Sequence, residues 1–271
     1  MDDSINHKAM FEGFQNTPLL WETDSVEGLK QFPVKNTSET YIPKSTSKPL
    51  RLGKWIEAYT SFQLQKQHNI EVLVENLQIR REKQTIGELD LLLLKNNLPI
   101  HLEIAYKFYL YDTTKTYTDD LEHWIGPNRN DSFVYKINKL REKQLPLLYQ
   151  NETIKVLETK SLNPYDFEQY VSFKAQLFLP YLQTDINMPT LNKKCIQGWY
   201  ISFDSINQLR TYKFYIVNKL DWLCKPNFEV NWLVYEEAYI AIKSYIGDKQ
   251  SPLCWIKNQN NDLQKCFITW W

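Results

Sequence analysis

A few acids and one lysine stand where ordinary core or surface patterning would not put them. Asp90 interrupts a run of five leucines between Leu89 and Leu94, and Glu103 lies in the next apolar segment, His101–Leu110 (HLEIAYKFYL). Burying an ionised carboxylate in a sheet costs several kcal/mol unless a cation or dense hydrogen bonding compensates. Two on neighbouring strands also repel each other. A divalent cation relieves both penalties, and hard oxygen donors select Mg²⁺ or Mn²⁺ over zinc. Alternate side chains of a strand share a face, so Glu103, Ala105 and Lys107 point one way, with Lys107 about 7 Å beyond Glu103. A lysine there can orient a water or stabilise charge building on a phosphate. Glu88 shares the face of Asp90 as a supporting ligand. Glu57, beside the core-facing Ile56 in GKWIEAY, can join from a helix. The plainer readings are a Glu103–Lys107 ion pair and a Glu57 on an ordinary helix surface.

These residues need particular elements to position them. Leu52, Trp55, Ile56, Tyr59 and Phe62 recur at helical spacing and predict a helix over 52–67. Strand-like segments follow at 70–80, 85–95 and 99–111, the last two joined by the turn-forming Asn96, Asn97 and Leu98. The leucine run predicts a central strand covered on both faces. Asp131 or Ser132 caps a helix running to about Tyr149. Further apolar runs cover 172–181, 195–203 and 211–217, with a helix over 231–245 and aromatic-rich strands at the end. Five of the nine Trp lie between Trp222 and Trp271; they read as a buried aromatic cluster, or as a base-stacking platform if the rings are exposed. The Ser-, Thr-, Lys- and Pro-rich stretch 34–49 reads as a linker. The expected division is 1–49 N-terminal helical segment and linker, 50–150 core, and 151–271 C-terminal α+β extension packed on it.

Charge narrows the function classes. Lys and Arg number 32 and so do Asp and Glu, which excludes a constitutively basic nucleic-acid coat protein. A local basic patch remains: Arg129 leads into a helix with Lys136, Lys139 and Lys143, the lysines at i, i+3 and i+7 on one face. An ordinary solvated helix face is the alternative. No apolar run is long enough to span a membrane and the start lacks a signal-peptide pattern, so the expectation is a cytoplasmic protein with no membrane partner. Cys195, Cys224, Cys254 and Cys266 have no metal-binding spacing and read as free thiols. Phosphate-binding Gly-x-x-x-x-Gly-Lys, Gly-x-Gly-x-x-Gly and Gly-x-Ser-x-Gly motifs are absent.

The order helix-Glu, Gly-Glu-x-Asp strand, then Glu strand with a downstream Lys resembles the core of the PD-(D/E)XK nuclease superfamily. The segments LGKWIEAY, TIGELDLLL, HLEIAYKFYL, WIGPNRND, GWY and LDWL resemble the bacterial domain-of-unknown-function family numbered 1853. The likeness covers most of the chain after about Leu50. It implies an α/β fold with a restriction-endonuclease-like core, a mixed central sheet flanked by helices, carrying an aromatic-rich α+β extension. It also implies Mg²⁺- or Mn²⁺-dependent phosphodiester hydrolysis by a metal-activated water, with nucleic acid, DNA more than RNA, as partner. Carried over, Asp90 and Glu103 are metal ligands, Glu57 the helix acid and Lys107 the catalytic lysine. The superfamily lysine falls two residues after the Glu; Ala105 holds that slot here, and Lys107 lies one strand repeat further. That departure keeps a second expectation open: a catalytically silent nuclease fold acting as a nucleic-acid- or protein-binding adaptor.

Overall fold

The computed structural model describes residues 6–43, 50–183 and 185–271. Residues 34–43 of the expected linker carry neither helix nor strand, and its remainder, 44–49, lies outside the described residues.

Local chemistry sets the elements. Helix α1 (His7–Asn16) begins where the Asn6 side chain accepts the Ala9 N–H at 3.0 Å, satisfying one orphan amide of the first turn. Helix α2 (Leu52–Gln65) buries Trp55, Ile56 and Tyr59 of the expected stripe and leaves Leu52 and Phe62 half-buried; Leu64, outside that stripe, is buried as well. Strands β1 (Ile70–Arg81), β2 (Gln84–Lys95) and β3 (Leu98–Tyr111) follow close to the expected bounds. Between β2 and β3 only Asn96 and Asn97 remain, at φ 51° and 66°. That pair of left-handed residues makes a type I′ hairpin turn, and asparagine enters that region more easily than most residues.

After β4 (Trp124–Ile125) comes α3 (Phe133–Lys139). The helix expected to run unbroken to Tyr149 is α-helical only to Lys139; a π-turn over Leu140–Gln144 and a 3₁₀ turn over Leu145–Tyr149 complete it. Pro146 has no N–H for the carbonyl four residues back, so the regular ladder breaks there. The remaining elements are α4 (Asn151–Glu158), β5 (Glu168–Pro180), β6 (Ile196–Ser202), β7 (Lys213–Ile216), α5 (Tyr235–Gly247), β8 (Leu253–Lys257) and β9 (Leu263–Thr269). The fold is mixed α/β.

The chain forms two compact units, and β3 and β5 each give their first part to one and their last part to the other. Unit I comprises Leu19–Tyr106 and Tyr135–Lys174. Its strands run in the order β1-β2-β3-β5, with β2 antiparallel to both β1 and β3. Strand β2 is central, as the leucine run predicts, and Leu91, Leu92 and Leu93 are all buried. Leu89 and Leu92 meet Ile79, Leu147, Leu148, Leu157 and Phe167 in one cluster, so the 3₁₀ turn and α4 cover that part of the sheet.

Unit II comprises the described residues up to Pro18 together with Lys107–Val134 and Ala175–Trp271. Its strand order is β3-β5-β6-β9-β8-β7; β6 is parallel to β5 and β9, while β8 is antiparallel to β9 and β7. Helix α5 seals this sheet through Ala238 and Ile242 against Phe214, Ile256 and Ile268. The late tryptophans are mostly half-buried; of Trp222, Trp232, Trp255, Trp270 and Trp271 only Trp255 belongs to the buried core. All four cysteines are buried, and none is in a disulfide among the described residues.

Leu92, with no exposed surface in the centre of β2, carries the most direct test of the unit I core. Leu92→Ala should cost about 2–5 kcal/mol in denaturant unfolding; a loss below about 1 kcal/mol would contradict a packed central strand.

Candidate metal centre

Three acids from two elements converge in unit I. Glu57 of α2 and Glu88 and Asp90 of β2 each offer a carboxylate oxygen within 4.8 Å of the others. The positions follow from periodicity: Glu88 and Asp90 are two apart on a strand, and Glu57 follows the buried Ile56 on the helix packed nearby. Lys54, one helical turn before Glu57, bonds Glu57 at 2.6 Å, Glu88 at 2.5 Å and Asn76 at 3.2 Å. Its ammonium thus neutralises two of the acids from the more exposed side, while Asp90 is the most enclosed of the three.

Glu103 lies beside Asp90, one step beyond the last paired residues of β2 and β3, Leu91 and Leu102. The Ile104 N–H donates to Asp90 at 2.8 Å. Both Glu103 oxygens are held by fully or partly buried neighbours: the Gln144 amide donates at 2.5 Å, and His101 bonds the other oxygen at 3.0 Å. The hydrogen-bond network assigns the histidine tautomer. The Gln169 NH₂ group donates to His101 Nδ1 at 2.9 Å and to the Leu145 carbonyl at 2.7 Å. Nδ1 is therefore the acceptor, and Nε2–H points at Glu103. Lys136 in turn donates to the Gln144 side-chain oxygen at 2.8 Å.

Electrostatics follow from crowding acids out of water. Burial, followed by the neighbouring charge of Glu103, pushes Asp90 up to about 7, against the Ile104 N–H and Lys136, which pull it down. Burial likewise pushes Glu103 up to about 7 while Lys136 and Gln144 oppose it. Glu57 rises to about 7 for the same reason, with its Lys54 bond opposing. Burial holds His101 down at about 4, so it is neutral at physiological pH. Carboxyls that keep part of their protons at neutral pH could exchange them for a cation, and an all-oxygen donor set would suit a hard divalent ion such as Mg²⁺ or Mn²⁺.

The other expected site residues are placed as follows. Lys107 pairs with Asp131, both in unit II. Arg129, also in unit II, bonds Asp112 at 3.0 Å and Thr114 at 2.7 Å. Lys139 and Lys143 are exposed, but the π-turn widens the helix between them, so Lys136, Lys139 and Lys143 do not form a regular three-residue stripe. Lys136 is half-buried, and its charge bears on Asp90 and Glu103. Sequence reasoning missed His101, Gln144 and Gln169 as parts of the site. His101 was findable, since it sits two residues before Glu103 on the same strand face. Gln144 and Gln169 carry no such signal, because an amide at a helix end or at a strand start is ordinary.

A family model described as Domain of unknown function (DUF1853) matches residues 24–266. The chain belongs to that family. No curated protein and no solved structure matches it. The DUF1853 span contains every residue of the acid cluster and of the network behind it, from Lys54 to Gln169.

The raised pKa values carry a sign. A carboxyl whose folded pKa exceeds its unfolded value imposes no penalty below pH 4 and a full one above about pH 7. Metal-free protein should therefore lose stability between pH 5 and pH 8, on the order of 2 kcal/mol from Asp90 alone. Asp90→Asn should remove the Asp90 share of that slope in thermal or urea unfolding and leave a shallower fall from Glu103 and Glu57. A parent stability that rises steadily from pH 5 to pH 8 would refute the crowded-acid description.

Proposed function

We propose that this DUF1853 protein is a Mg²⁺-dependent phosphodiesterase acting on nucleic acid, with a restriction-endonuclease-like core in a bacterial cytoplasm. The observation that carries the reading is the convergence of Glu57, Glu88 and Asp90 beside a network-held Glu103. Acids brought together at such electrostatic cost in a purely structural sheet would be replaced by apolar residues at no loss of stability. Asp90, Glu57 and Glu88 would hold the ion, with Glu103 as the further ligand. The bound ion supplies Lewis acidity toward a phosphate and lowers the pKa of water at the site.

The chain's own residues do the rest. His101 and Gln144 fix the Glu103 carboxylate in one orientation, and Gln169 fixes His101. Lys136 brings positive charge to the acid pair and is the cation we assign to stabilising the phosphate, in place of Lys107, which pairs with Asp131. Lys139 and Lys143 are exposed for contact with a polyanion. Four buried thiols outside any disulfide fit a reducing cytoplasm, and among the described residues no helix is long and apolar enough to cross a membrane.

One observation favours a second reading. Lys54 already neutralises Glu57 and Glu88, which suits a silent nuclease fold that binds nucleic acid or a partner protein without cutting it.

Cleavage of linear, circular and single-stranded DNA and of RNA, with Mg²⁺ or Mn²⁺ against EDTA, separates the two. Asp90→Asn and Glu103→Gln should each lower metal-dependent cleavage by a factor of about 10² or more, and Lys136→Met by about tenfold or more. Parent protein that binds nucleic acid but shows no metal-dependent cleavage on any substrate would favour the adaptor and end the enzymatic proposal.

A further inference from the structure

Unit II holds a cavity that the acid cluster does not use. Its volume is about 470 Å³, within the usual range for small-molecule sites. One wall is the 3₁₀ segment Phe203–Leu209 and the residue after it; the other is the first turns of α5. Three aromatic rings line it. Phe203 and Tyr239 stack with centroids 4.9 Å apart, and Tyr235 lies 6.0 Å from Tyr239. The charged and amide side chains, Asp204, Asn207 and Arg210, come from the 3₁₀ side, and α5 adds the Tyr235 and Tyr239 hydroxyls. Arg210 sits over the Tyr235 ring at 5.7 Å. Among the described residues, neither the Asp204 carboxylate nor the Arg210 guanidinium has an ion-pair partner, and both residues are exposed.

That combination narrows the ligand. The three rings pack on the core of unit II and are only half-buried, so a simple anion would satisfy Arg210 but use neither their remaining surface nor the Asp204 carboxylate. A wholly apolar ligand would strand the charges. A ligand with a flat ring, an edge of N–H donors and an anionic group uses every wall. The ring stacks on tyrosine, the anion pairs with the planar guanidinium, and the donors meet Asp204. A carboxylate only accepts hydrogen bonds. Guanine offers it two adjacent donors, N1–H and the 2-amino group, whereas adenine presents an acceptor at N1. We propose that this cavity binds a guanine nucleotide monophosphate, free or at the end of a strand, with Asp204 reading the base and Arg210 holding the phosphate. The proposal does not depend on the metal reading, since every group it uses lies in unit II.

Calorimetric titration of the full chain in EDTA tests it, with 5′-GMP, 5′-AMP, inorganic phosphate and a short oligonucleotide bearing a terminal guanine nucleotide as probes. GMP should bind at least about tenfold more tightly than AMP or phosphate, the margin of a two-bond base contact. Arg210→Gln should weaken GMP about tenfold, and Asp204→Asn should erase the preference over AMP. Asp90→Asn should bind GMP like the parent. Tighter binding of the oligonucleotide than of GMP would assign the site to strand ends, and the reverse to the free nucleotide. Equal affinity for GMP, AMP and phosphate would overturn the proposal. So would GMP binding that survives Arg210→Gln and disappears in Asp90→Asn.

Discussion

Asp90 and Glu103 stand side by side on neighbouring strands, out of water, and their mutual repulsion is the constraint to which unit I is built. At a low local dielectric two such charges cannot both persist without compensation. Each neighbouring element supplies part of it. Strand β3 gives the Ile104 N–H and His101, the π-turn gives Gln144, α3 gives Lys136 and the start of β5 gives Gln169. On the more exposed side α2 gives Lys54. Buried polar networks are stabilising only when every member is satisfied, and here both oxygens of Glu103 and both ring nitrogens of His101 have partners.

The same network specifies the fold. A one-residue slip of β2 would turn Asp90 onto the face of Leu89, Leu91 and Leu93 and bring a leucine to the acids, so register is fixed by chemistry as well as by packing. The irregular turn at Leu140–Gln144 has a role in this arrangement. A regular α-helix would carry Gln144 at another angle; the wider turn delivers it to Glu103, while Pro146 ends the helix just after.

The elements that position the acids were legible in the sequence because they follow strong periodic rules. The stripe of α2, the three strands and the Asn96–Asn97 turn reflect local patterning, and the structure reproduces them closely. Asp90 was legible as an exception to a pattern, Glu57 by its place beside the core-facing Ile56, and Glu88 by the period of two. The division of β3 and β5 between two units was not legible, because it depends on contacts between segments far apart in sequence. The partner of Lys107 was hidden in the same way. Strand period places Lys107 on the face of Glu103, but Asp131, 24 residues away, decides where its ammonium goes. The inward placement of Lys136 depends on a π-turn that helical periodicity does not encode.

If the crowded acids hold a divalent ion, binding must displace protons, and that linkage is the most direct test. Mn²⁺ or Mg²⁺ is titrated calorimetrically into the metal-free protein in buffers of different ionisation enthalpy, between pH 6 and pH 8.5. With Asp90, Glu103 and Glu57 each near 7, binding at pH 6.5 should release at least about one proton per ion. That release should fall toward zero by pH 8.5 and be sharply reduced in Asp90→Asn. Absence of binding at millimolar metal, or binding with no proton release at any pH, would contradict the account.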